Sequence, residues 1–67
     1  MVDYSKIVML SKQGESKNSI SRILGIKWDT TDWVLKRCID QWGSIESVPD
    51  DITSEAICDR IYGGNVG

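Results

Sequence analysis

Sixty-seven residues, 40% hydrophobic and 27% charged with a net charge of −2, make one small globular domain; a chain this short buries only about 60% of its unfolded surface, so its core is marginal and leaves no room for two lobes around a cleft. No apolar run approaches the roughly 18–20 residues of a membrane span, and the absence of a signal-peptide pattern makes the cytoplasm the expected location. Histidine is absent and the only cysteines are Cys38 and Cys58, which excludes a four-ligand zinc site and any His-based triad. Two free thiols are expected in preference to a disulfide. The residues point away from an enzyme, and towards a binding module or a piece of something larger.

The charge is uneven. Residues 1–42 carry Lys6, Lys12, Lys17, Arg22, Lys27, Lys36 and Arg37 against Asp3, Glu15, Asp29, Asp32 and Asp40, a balance of +2. Residues 43–67 carry Arg60 against Glu46, Asp50, Asp51, Glu55 and Asp59, a balance of −4. The first two thirds can meet phosphate; the last third is repelled by it.

In chain order, the dominant signal is helical periodicity. Tyr4, Ile7, Val8 and Leu10 recur at three- and four-residue spacing, which predicts an amphipathic helix over 4–13 with Asp3 as N-cap and Gly14 as its stop. Ser16 caps a second helix with Ile20, Ile23 and Leu24 on its inner stripe, ended by Gly25. A third helix, about 28–42, lays Thr31, Val34, Leu35, Cys38, Ile39 and Trp42 on one face and stops at Gly43. Residues 44–52 read as a connector, with Pro49 disfavouring helix at Val48. A short fourth helix is expected over 53–62, capped by Thr53, with Ile52, Ala56 or Ile57, and Ile61 turned inward. Residues 63–67 have nothing to bury and read as a flexible tail. The expected fold is all-α: a small tri-helical helix-turn-helix bundle over 1–43 with a short additional C-terminal helix.

Two short helices joined by Gly25-Ile26-Lys27 form the centre of a helix-turn-helix. Gly25 supplies the left-handed residue that the tight turn needs, and Ile26 plugs the angle between the helices. The third helix then buries Thr31, Val34 and Leu35 against Ile20, Ile23 and Leu24, and turns Asp29, Thr30, Asp32, Trp33, Lys36 and Arg37 outward. In a DNA-binding helix-turn-helix that outward face enters the major groove.

The run SKIVMLSKQGESKNSISRILGIKWDTTDWVLKR followed by VPDDITSEAICDRIYG resembles the N-terminal module of IstA-type insertion-sequence transposases. The matching residues are Ile7, Leu10, Gly14, Ser16, Ile20, Leu24, Gly25, Ile26, Thr30, Val34, Leu35, Pro49, Ile52, Thr53, Glu55 and Tyr62, so the resemblance spans residues 2–62. Its helix-turn-helix half is shared with resolvase, sigma-factor and repressor domains, and the Pro49–Tyr62 extension singles out the transposase. The resemblance implies a module that recognises mobile-element end DNA. Its parent would carry a downstream acidic metal site and work with an IstB-type ATPase. The chain departs from the family where the third helix opens: Lys27, Trp28 and Asp29 replace Ser, Arg and Asn, which moves the expected helix start to Asp29 or Thr30.

As a DNA reader, the chain places Lys17, Lys27, Lys36 and Arg37 near phosphates, and Asp29, Thr30 and Trp33 at bases. Ser16, Lys17 and Asn18 clamp the backbone at the start of the second helix. Trp28 and Trp33, five residues apart, do not share a face: Trp28 is expected partly in the turn and Trp42 as a lid on the core, while Trp33, substantially exposed, covers the loop after the third helix or the fourth helix, meets a thymine methyl or sugar, or anchors a protein interface. The acidic residues Asp29, Asp32, Asp50, Asp51, Glu55 and Asp59 read as caps and solvated faces, and no metal or cofactor is expected. The alternative is a protein-interaction module on the same fold, binding a basic or apolar partner or a second copy through its acidic, Trp-bearing third helix.

Overall fold

The computed structural model describes residues 2–63. Four helices form in chain order: α1 (Tyr4–Lys12), α2 (Lys17–Leu24), α3 (Trp28–Trp42) and α4 (Ser54–Cys58). A 3-10 turn lies at Ile45–Ser47, and a widened π turn at Asp59–Gly63 prolongs α4. The fold is all-α, as the periodicity predicts. Among the described residues no helix is long and apolar enough to cross a membrane.

The local chemistry follows the sequence closely. The Asp3 carboxylate accepts the Lys6 amide, Ser16 Oγ accepts the Ser19 amide and Thr53 Oγ1 accepts the Ala56 amide, each satisfying one of the orphan donors of a helix start. Gly25 lies at φ +67°, ψ 34°, the left-handed conformation that ends α2, and a Cβ there would meet nothing within 4 Å. Its requirement is therefore purely one of backbone. The third helix covers Trp28–Trp42 as its periodicity predicts, and the loss of the family's serine does not shift its start to Asp29 or Thr30: Lys27 is a cap that makes no side-chain bond. The extended backbone of Lys27 suffices to begin the helix, with no hydroxyl or carboxylate required.

The core comprises Ile7, Val8, Ile20, Val34, Leu35, Cys38, Val48, Ile57 and Ile61. Around them Tyr4, Leu10, Leu24, Ile26, Trp42 and Ile52 are partly covered, so Trp42 is the expected lid. Two expected core residues are not in it: Ile23 is 59% exposed and Ile39 44%. At 100° per residue, Ile39 falls just off the edge of the Thr31–Val34–Leu35–Cys38 stripe. On α2 the residue turned to α3 is Ser21, whose hydroxyl bonds Thr31 Oγ1 at 2.9 Å in the interior and Lys17 O at 2.8 Å. That pairing fixes the rotation of α2 and carries Ile23 to its flank. The buried Thr31 is thereby satisfied.

The connector does more than link. Val48, extended as the following Pro49 requires, is buried to 1% exposure. Lys12 Nζ bonds Val48 O and reaches Asp50 at 2.7 Å, pinning the segment to α1. The fourth helix, α4 continued by the π turn, runs over 54–63, close to the expected 53–62; Ile61 is inward as anticipated, and of Ala56 and Ile57 it is Ile57 that is buried. Ser54 Oγ accepts the Tyr4 amide at 2.9 Å, joining the starts of α1 and α4. Both cysteines are free, and burial pushes the Cys38 thiol up to about 11, which makes it an inert core group. Residues 64–67 of the expected tail lie outside the described residues.

Ile61→Ala should cost about 2–5 kcal/mol through lost burial and a cavity. That is a large part of the about 3–9 kcal/mol expected for a domain of this size. Gly25→Ala should cost about 1–2 kcal/mol through backbone strain alone. Urea unfolding of the two variants checks both, and a C-terminal segment merely resting on a three-helix core would leave Ile61→Ala near wild type.

Candidate nucleic-acid interface

The α2–turn–α3 unit presents a surface built from the first turn of α2 and the outward side of α3. Lys17 joins the two. Its ammonium is paired with Asp32 of α3 and stands 5.5 Å from the centre of the Trp28 ring. Lys36, one helical turn on, reaches the other Asp32 oxygen at 3.1 Å. Asp32 is thus clamped between two lysines, and its side chain is only 17% exposed. Hydrogen bonds from Lys17 and Lys36 hold its carboxyl below the ordinary value of 3.8.

Several expected site residues lie where the sequence placed them. Ser16, Asn18, Lys27, Trp28, Asp29 and Lys36 are exposed, and Lys17 and Thr30 are half-buried. The free amides at the start of α2 lie beside Lys17, so the α2 terminus and the first turns of α3 form one continuous face. Asp32 is a correction to the outward-facing expectation, because the two lysines cover it.

Arg37 is a second correction. Its guanidinium Nη2 donates to Ile61 O at 2.9 Å, and its Nε is buried without a protein partner among the described residues. Arg37 is half-buried, where the sequence placed it facing outward, and it holds the π turn through that bond. Trp33 shares that role: 38% exposed, it lies against Tyr62 with ring centroids 5.0 Å apart. Tyr62 in turn meets Tyr4 edge-on at 6.3 Å and accepts its hydroxyl proton at 3.4 Å. That bond, with burial, raises the Tyr4 hydroxyl above its ordinary value. At the far end of α3, Arg60 bonds Gln41 and covers the Trp42 ring at 5.1 Å.

The α2-side surface of α3 therefore divides from the side packed against the C-terminal turn. Lys17, Lys27 and Lys36 with Asp29 and Asp32 stay on the α2 side, while Trp33 and Arg37 are taken by the C-terminal turn. The Asp32–Lys36 pair was visible as an i, i+4 spacing. The Lys17–Asp32 and Arg37–Ile61 contacts cross between elements and have no local signal. Among the described residues no three acidic or thiol groups converge as a metal site requires.

No family model, curated protein or solved structure matches this chain.

The depressed Asp32 carboxyl gives a signed pH dependence. The stabilisation from the clamp is fully present above the ordinary value of 3.8 and is lost as pH falls through the lower, native value. Thermal melts of wild type and Asp32→Asn should differ at neutral pH and converge in strong acid. A difference unchanged across that range would mean the clamp contributes nothing through its charge.

Proposed function

We propose that this chain is a DNA-reading helix-turn-helix module of the kind that opens IstA-type transposases. It would dock the first turns of α3 in the major groove of mobile-element end DNA, with the start of α2 on the phosphate backbone. The observation that carries the reading is the joined surface itself. A Ser16-capped helix start with free amides stands beside Lys17, and Lys17 touches both Trp28 and Asp32 of the next helix. Free amides at a helix start favour phosphate, and the first turns of a recognition helix meet base edges. Lys27 and Lys36 extend the cationic surface, Asp29 and Thr30 stand at the base-facing end, and Trp28 offers apolar contact to a thymine methyl or sugar.

In this reading the module works in the cytoplasm as the DNA-end-binding part of a recombinase. An IstB-type ATPase would be the partner of the full-length parent. The chemistry belongs to that parent, and the module itself binds without catalysing.

A second reading has its own observation. Asp29 and Asp40 are exposed on α3, to either side of the half-buried Asp32, a surface suited to a basic protein partner or a second copy.

Fluorescence anisotropy with a duplex from the end of an IstA-type element, against a scrambled duplex, separates the two. Three lysines should give a slope of log K against log salt near −2.7, about −0.9 for each phosphate neutralised. Lys27→Ala should lower its magnitude by about 0.9. Arg37→Ala should leave the slope unchanged while lowering the melting temperature. No salt-sensitive binding to either duplex would transfer the assignment to protein recognition.

A further inference from the structure

The clamp on Asp32 is the feature of the reading face that DNA binding in general does not call for. A carboxylate on a surface that meets phosphate repels it, and this one also occupies two of the three lysines of the face, Lys17 and Lys36. Both carboxylate oxygens are engaged, one by Lys17 and one by Lys36. Neither lysine is deeply held: their side chains are 39% and 69% exposed, so each can swing to a phosphate once Asp32 has another partner. Asp29, by contrast, is exposed and makes no ion pair among the described residues.

We propose that Asp32 is the specificity-determining residue of this face, holding Lys17 and Lys36 off the DNA backbone until a cytosine amino group replaces them. The inference rests on the DNA-reading assignment above. An ionised carboxylate accepts hydrogen bonds and donates none, and the major-groove edge of cytosine offers the N4 amine as a donor. At a matching C·G pair the amine takes the carboxylate, and both lysines are released to flanking phosphates. At a mismatched pair Asp32 keeps its lysines, and the backbone loses two of its cationic contacts. Discrimination thus comes from a repulsive element as much as from an attractive one. The same residue sets how much non-specific binding the module shows, because that binding is almost wholly a matter of phosphates neutralised.

The test selects a preferred site from a duplex library randomised over one helical turn. Binding to the selected and a scrambled duplex is then measured as a function of salt. For wild type the slope should be steeper on the selected site. Asp32→Asn should steepen the slope on the scrambled duplex by about 0.9 for each lysine released. It should also move the selected base opposite residue 32 from cytosine to adenine, which Asn reads through N6 and N7. Asp40→Asn, at an exposed aspartate of α3 that makes no ion pair among the described residues, removes the same charge without freeing a lysine, and should leave the scrambled slope unchanged. Lys36→Gln, at an exposed position that does not threaten the fold, should flatten the slope on the selected site and leave the scrambled one alone.

Equal slopes for wild type and Asp32→Asn on scrambled DNA would overturn the proposal while the DNA-reading assignment stood. Equal effects of Asp40→Asn and Asp32→Asn would also overturn it, and so would a selected site without cytosine at that position. Absence of binding by every variant to any duplex would remove the assignment as well.

Discussion

The structure depends on the constraint that so short a chain has one core and must recruit every element to complete it. Helices α1 to α3 supply Ile7, Val8, Ile20, Val34, Leu35 and Cys38, while Val48, Ile57 and Ile61 come from the segment that follows. Burial of those last three obliges the C-terminal third to fold back along α1 and α3. Once Ile61 is seated, its carbonyl stands where the Arg37 guanidinium can reach it and Tyr62 lies on Trp33. The packing requirement thus decides which side chains of α3 remain for a partner. It also places the acidic third of the chain against the helix that the basic part presents.

What remains on the α2 side is small and nearly balanced in charge. Three lysines and two aspartates share it, and Asp32 draws two of the lysines to itself. Two of its three cations are therefore already paired, Lys27 being the exception among the described residues. On the DNA reading proposed above, affinity from phosphate contacts is then limited and the balance moves towards contacts at base edges. The Ser21–Thr31 bond bears on this as well. It sets the rotation of α2 against α3, and with it the position from which Lys17 reaches Asp32 and Trp28.

Much of the fold was legible because it was written locally. Asp3, Ser16 and Thr53 as caps, Gly25 as a left-handed turn, and Ile7, Ile20, Val34 and Ile57 as inward positions all follow from spacing and residue chemistry within one or two turns. The errors arose where a contact between elements decided the outcome. Ile23 satisfies the apolar period of α2, yet the Ser21–Thr31 bond turned the helix away from it. Val48 sits in a segment without periodicity, and only the anchoring of Lys12 to its carbonyl shows it as part of the core. Of the candidate site, the exposed residues Ser16, Asn18, Lys27, Trp28, Asp29 and Lys36 were readable from the helical face they occupy. Trp33 against the C-terminal segment was among the sequence readings; the diversion of Arg37 was not, since a cation on an outward stripe carries no sign that the carbonyl of Ile61 will meet it.

Chemical-shift mapping of labelled protein titrated with an element-end duplex tests most directly the proposal that DNA meets the α2–α3 face while the C-terminal segment belongs to the fold. Perturbed amides are then expected over 16–18 and 27–36, with those of Ile57, Ile61 and Tyr62 unmoved. Perturbations centred on residues 54–62, with the start of α2 silent, would contradict it.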